Sequence, residues 1–294
     1  HMLLDYVKLK EIKPALFGYI REARAMLDPG SVADEKSVHD VRVLMKKSRA
    51  AMKLIKPQVD PEMFKREYSA FREVGMKMRQ WRENSVHRKH LRYLKKKYPK
   101  IFDSLTDNEK LNLLLNKPEP EKEISEGMTT DLAAITSILD KSSYRIRFQS
   151  MNNLDTQLLV RELEQTYSQV TDCYIMARNY QKTANLHEFR KKAKDFLYQL
   201  YFFRSMKPRS IRALEKKLDS LTQCLGRYND LSVLVKALGY RYTKDINEPG
   251  LDELILMIRQ EQDKALSKVW PAAHSIFAPG RKLMDVLGFR LLVI

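Results

Sequence analysis

The sequence predicts an all-α protein built from two similar helical units, and three observations carry that prediction. Good helix formers (Leu, Lys, Arg, Met, Ala and Glu) dominate, while β-branched runs are scarce and only nine glycines occur in 294 residues. Apolar residues recur at helical spacing along nearly the whole chain. A motif that begins at His39 returns at His187, 148 residues later.

Taken in order, a first helix is expected over Leu3–Leu27, stopped by Pro29-Gly30. A second covers Asp34–Lys56 and ends before Pro57. A third starts at Asp60-Pro61, with Asp as the cap and Pro at the first helical position. It is expected to bend near Asn84-Ser85 before a basic helix that runs to Tyr98-Pro99. The polar, acidic stretch 116–127 carries two prolines and reads as a linker. Beyond it, helices are expected over Met128–Ser150, Leu154–Lys182, Asn185–Ser205, Pro208–Leu238 and Leu251–Trp270, with a short one after Pro279-Gly280. The apolar tail Phe289–Ile294 is too short to cross a bilayer and is expected to pack on the body.

The repeat is specific in its details. At the offset of 148, His39 matches His187, Asp40 matches Glu188, Arg42 matches Arg190 and Lys46 matches Lys194. Downstream, "MRQWRENSVH" from Met78 matches "LGRYNDLSVL" from Leu225 at an offset of 147. Two matches at a nearly constant offset predict two helical bundles related by an internal pseudo-twofold. The expected division is a first bundle over 3–115, a linker over 116–127 and a second bundle over 128–294.

The second helix carries the main functional signal. At 100° per residue, His39, Arg42, Lys46, Arg49 and Lys53 fall within an arc of about 80°. Val43, Ala50 and Leu54 flank that arc on one side, and Val38, Met45 and Met52 on the other. A solvated face lies opposite one apolar stripe, whereas these cations sit between apolar flanks. They are therefore expected to line a wet groove or to hold an anion, because unpaired buried cations are costly. His187, Arg190, Lys191 and Lys194 repeat the pattern with fewer cations further along.

Ten Lys or Arg stand against the single acid Glu83 over Met76–Lys100, and Arg79 and Arg82 are the expected contacts within that run. Asn229-Asp230 is expected to cap a bend or orient a neighbouring cation, and Gly226 to permit close helix approach. Tyr198 and Tyr201 read as core or groove wall.

A net charge of +17 and a pI of about 9.7 bias the partners toward polyanions such as nucleic acid, anionic lipid or polyphosphate. Cys173 and Cys224 lack CxxC spacing and read as ordinary thiols of a reducing compartment. No signal peptide is visible and no apolar run approaches 18 residues, so no membrane span is expected. Neither histidine has a second ligand at metal spacing, and no metal or cofactor is expected.

"HDVRVLMKKSR" with its echo "HEFRKKAKDFLY", together with "LGRYNDLSVL", resembles the conserved histidine α-helical domain family, known as CHAD. The resemblance runs from about Leu3 to the C-terminus. It implies two four-helix bundles facing each other across a basic central groove or channel that binds inorganic polyphosphate without catalysis. It also implies a cytoplasmic protein, associated with polyphosphate granules. The residues that carry over are His39, Arg42, Lys46, Arg49 and Lys53 from the first basic helix and His187, Arg190, Lys191 and Lys194 from the second. The first unit departs from the family's LGxxRD-type turn, with Arg79 in place of the glycine and Glu83 in place of the aspartate. Some relatives carry a triphosphate-tunnel module with an ExExK motif, whereas "EPEKE" at Glu119–Glu123 ends in Glu.

Three rivals remain at this stage. A basic helical protein binding RNA or DNA fits the charge, but the stripe lacks interleaved aromatics for base stacking. An enzyme of phosphoanhydrides would need a P-loop or a carboxylate site for Mg²⁺ that the sequence does not show. A scaffold whose groove receives an acidic protein segment also fits the charge.

Overall fold

The computed structural model describes residues 11–27, 34–116, 126–151, 153–239 and 249–288. Among them the fold is all-α, with no strand. Eleven α-helices occur: α1 (Ile12–Ala25), α2 (Glu35–Ile55), α3 (Pro61–Lys97), α4 (Pro99–Asp103), α5 (Glu109–Asn116), α6 (Glu126–Phe148), α7 (Thr156–Asn179), α8 (Thr183–Leu200), α9 (Pro208–Ala237), α10 (Pro249–Phe277) and α11 (Leu283–Leu287). The N-terminal part of the first expected helix, most of the linker, the Glu119–Glu123 stretch and the tail Phe289–Ile294 lie outside the described residues.

Local chemistry explains several helix ends. The Asp34 carboxylate accepts from the Ser37 amide at 2.7 Å and caps α2, and Asp155 caps α7 by accepting from the Gln157 amide at 2.8 Å. Pro61 and Pro208 stand in the first turns of α3 and α9, where a missing N–H costs nothing. Gly288 closes α11 in the left-handed region at φ 71°.

Two expectations are corrected. No helix boundary falls near Asn84-Ser85, and α3 runs unbroken for 37 residues. No Pro lies in its interior, and the Ser85 hydroxyl is satisfied within the helix by donating to the Arg82 carbonyl at 2.9 Å. The helix expected to stop at Trp270 continues through Pro271 to Phe277. The lost backbone bond at Pro271 is offset by burial of Ala273, Ile276 and Phe277, and the Tyr167 hydroxyl donates to the Ile276 carbonyl at 2.7 Å.

Packing forms two four-membered circuits. In the first, α2 packs on α1 and α3, and α6 closes the ring against both α1 and α3. Arg24 pairs with Asp140 at 2.9 Å across α1 and α6. The fully buried Glu67 of α3 accepts from Ser142 and Arg145 of α6. The second circuit joins α7, α8, α9 and α10, each packed on the next and α10 back on α7. Tyr167, Tyr174, Phe189, Phe196 and Phe277 form its aromatic centre.

The circuits meet through α2 against α8 and α3 against α9. The buried Gln199 amide of α8 donates to the Ala50 carbonyl of α2 at 3.0 Å. Because α3 is so long, its first half belongs to the first circuit and its second half reaches the other. There Leu91 and Leu94 share a separate core with Ile101 and Phe102 of α4, Leu231 and Leu234 of α9, and Leu254 and Ile258 of α10. This span sets Arg79 and Arg82 beside α8.

Candidate functional site

The centre of α2 is enclosed by α1, α3, α7 and α8. Val41, Leu44, Met45, Ala51, Met52 and Ile55 are buried, while Arg42, Lys46, Arg49 and Lys53 lie half-buried between them. Of the flanks inferred from the helical wheel, Ala50 and Leu54 on one side and Val38, Met45 and Met52 on the other are buried, and Val43 is partly buried. The cations emerge at the line where α2, α3 and α8 converge.

Electrostatics shows which charges meet there. Burial pushes the Lys46 ammonium down to about 7, and Arg190, Arg42, Lys194 and Arg82 push it the same way. Burial likewise lowers Lys194 to about 8, assisted by Arg190 and Lys47 and opposed by Asp219. Arg42 falls to about 10 through burial and then Arg82, Arg79, Arg190 and Arg49. Arg190 is lowered by burial and Arg82, while Asp230 and Tyr198 raise it. Cations from three helices thus crowd one half-buried space, each disfavouring the charge of the next.

The histidines sit at the rim, exposed in the first turns of α2 and α8. Burial lowers His39, and Arg82, Lys46 and Arg42 act in the same direction. Burial, then Lys191, Arg190 and Arg79, lowers His187. Burial and cationic neighbours thus favour the uncharged form of both imidazoles, and a nearby anion would act in the opposite direction.

Two expected cations already have carboxylate partners. Lys53 is paired with Asp195 of α8 at 2.7 Å, and its ammonium lies 5.7 Å from the Tyr68 ring centroid. Lys191 is exposed and 3.5 Å from Glu188. The remaining expected residues, His39, Arg42, Lys46, Arg49, Arg79, Arg82, His187, Arg190 and Lys194, are brought to the same region. Among the described residues no group of three or more His, Cys, Asp or Glu could hold a metal ion.

The signature turn of the second unit has a direct bearing on Arg190. Its guanidinium Nε donates to the Thr222 carbonyl at 3.1 Å. It lies so close over Gly226 that an added Cβ would meet Nε at 3.0 Å. Gly226 therefore makes room for the arginine head, where the sequence suggested only close helix approach. Gly226→Ala should leave the fold as stable as before or up to ~1 kcal/mol more stable, because alanine is the better helix former. It should also displace Arg190 and weaken anion binding about three- to tenfold, part of what a charge-assisted hydrogen bond contributes. Thermal melting and a binding titration on the same preparation check both signs.

Asn229-Asp230 lies inside α9, so capping is excluded. Asp230 instead faces Arg190, which it raises, and stands 3.4 Å from His90 Nε2. Lys47 was missed by sequence reasoning. It falls outside the stripe on the wheel, and only the arrival of Tyr198 and Lys194 on α8 makes it a neighbour of the site.

None of the helices among the described residues is long and apolar enough to cross a membrane. Comparison with curated proteins gives no match. The family model of the CHAD domain matches residues 15–239, a span that contains all three helices of the cationic site. The chain belongs to the CHAD domain family, a family associated with polyphosphate binding.

Proposed function

We propose that this protein binds inorganic polyphosphate, without catalysing a reaction on it, in the cationic groove between α2, α3 and α8. The observation that carries the reading is the half-buried meeting of Arg42 and Lys46 from α2, Arg82 from α3, and Arg190 and Lys194 from α8. Such a concentration of like charge is unfavourable in the free protein and is relieved by a multivalent anion. Arginines offer planar forks for bidentate phosphate contacts, and lysines adaptable point charges. Successive turns of α2 repeat the cations roughly every 5 Å, so an extended polymer meets several of them at once. His39, His187, Arg49 and Arg79 complete the set, and Lys53 and Lys191 join it by exchanging Asp195 and Glu188 for phosphate.

The contacts of α2 with α8 and of α3 with α9 join helices that the repeat matches, which supports a pseudo-twofold between units over 3–115 and 128–294 joined through 116–127. On this reading each unit contributes one wall of the groove, and the protein works in the cytoplasm at polyphosphate granules.

Calorimetric titration with long-chain polyphosphate at two salt concentrations, beside single-stranded RNA of matched charge, tests the proposal. Tight binding to polyphosphate, steeply weakened by salt and much weaker for RNA, is expected. Equal affinity for both polymers would reduce the groove to a generic basic surface, and no binding to either would refute it.

A further inference from the structure

Beside the groove lies a cavity of about 490 Å³, within the range of small-molecule sites. Tyr19 of α1, Lys47 of α2, Tyr198 of α8 and Asp219 of α9 line it, together with Tyr201. It communicates with the cationic cluster through one side chain. The Tyr198 ring has Lys47 on the cavity side at 5.9 Å from its centroid and Lys194 of the cluster at 5.6 Å.

The chemistry of this cavity differs from that of the groove. Three tyrosines supply aromatic faces, and burial pushes the Tyr19 and Tyr198 hydroxyls up to about 12, so they stay neutral. Arg204 braces the far wall. It forms a two-pronged pair with Glu215, 2.8 Å at each contact, and stacks 4.8 Å from the Tyr201 ring centroid. Asp219 is exposed, and its carboxylate accepts from the Gln223 side-chain amide at 3.0 Å. Lys216 also lines the cavity and, like Lys47, would attract phosphate, but Asp219 offers a bare polyphosphate no contact. An aromatic heterocycle with an amino group would instead stack on a tyrosine and donate to that carboxylate. Lys47, whose ammonium lies 5.9 Å from both the Tyr19 and Tyr198 rings, stands where the two chemistries join.

We propose that the cavity is a subsite for the base and sugar of a nucleoside polyphosphate, whose phosphate tail enters the cationic groove beside Lys47 and Lys194. The proposal rests on the groove's affinity for phosphate and adds a second ligand class to it. It gives the protein a means of distinguishing a nucleotide from an inorganic phosphate chain of the same length.

The test compares adenosine triphosphate with inorganic tripolyphosphate, without divalent cations, with long-chain polyphosphate as the reference ligand. The nucleotide should bind about tenfold more tightly than tripolyphosphate, the increment that one base stacked on an aromatic ring supplies. Tyr201→Ala should abolish that preference while leaving tripolyphosphate bound as before, and Asp219→Leu, which removes the acceptor for the amino group, should reduce it while leaving tripolyphosphate bound at least as well. Asp219 is an exposed surface residue, so its variant is informative even where Tyr201→Ala fails to fold. Equal affinity for nucleotide and tripolyphosphate would overturn the subsite and leave the groove standing. Binding of long-chain polyphosphate with neither short ligand bound would do likewise. Failure of every phosphate ligand to bind would overturn the groove and the subsite together.

Discussion

Between pH 6.5 and pH 9, affinity for long-chain polyphosphate should fall by ~100- to 1,000-fold. The cause is the neutralisation of two lysines in the free protein. Lys46 titrates at about 7, pushed down by burial and then by Arg190, Arg42, Lys194 and Arg82. Lys194 titrates at about 8, pushed down by burial and then by Arg190 and Lys47, with Asp219 of α9 opposing. A bound phosphate chain favours both charged forms and returns both lysines toward their ordinary value. Binding therefore takes up protons wherever the free lysines have lost them, and each lysine contributes up to about a tenfold loss per pH unit in that window. His39 and His187, lowered by burial and by cationic neighbours, extend the same trend to more acid solution.

Folding carries the opposite sign. The folded values of Lys46 and Lys194 lie below their unfolded ones, so over this window the unfolded chain holds more protons. Their contribution to stability therefore rises with pH above about 7. The free protein should gain from these two groups at alkaline pH while losing its ligand. Calorimetry in buffers of different ionisation enthalpy measures the proton uptake directly. An affinity unchanged over this interval, with no protons taken up, would remove Lys46 and Lys194 from the site. Lys46→Arg should flatten the dependence, because a guanidinium stays charged.

The second large effect is expected from charge removal at the centre. Arg42→Gln, Lys46→Met and Arg190→Gln together should weaken polyphosphate binding by about a thousandfold or more, since each removes a charge-assisted contact. Melting temperature should hold or rise. The three cations are half-buried among like charges, so a neutral side chain of similar volume relieves repulsion and desolvation. The lost bond from Arg190 to the Thr222 carbonyl offsets part of that gain. Helix content by circular dichroism, a melting curve and one titration separate the outcomes. A folded triple variant that binds like the parent would sink the assignment. A variant that melts much lower would show these residues to be structural.

Much of the fold was legible because helices are local. The 3.6-residue period of α2, the Asp34 cap and the prolines at 61 and 208 report on interactions within a few residues. The two boundaries that were misplaced, at Asn84-Ser85 and at Pro271, are set by remote contacts. Leu91 and Leu94 hold the second half of α3 against α9 and α10, and burial of Ile276 and Phe277 holds the last turns of α10 beyond its proline. The cationic stripe of α2 was legible for the same reason as the helix, since apolar residues on both flanks of one arc reveal that the arc is enclosed.

By itself, the sequence determined that the chain is helical, that it is basic, and that α2 and α8 carry matched residues, a histidine and two cations each, at His39, Arg42 and Lys46 and at His187, Arg190 and Lys194. Only the tertiary structure decided which of those charges act together. Lys53 is paired with Asp195 of α8, while Arg82 arrives from a helix whose length carries it across to α8. Gly226 acquires its purpose from an arginine 36 positions away, and Lys47 becomes a neighbour of the site through Tyr198. The physical reason is that helical periodicity orders each residue about its own axis. The perturbation of a lysine depends instead on burial and on charges delivered by other helices, which no local pattern encodes.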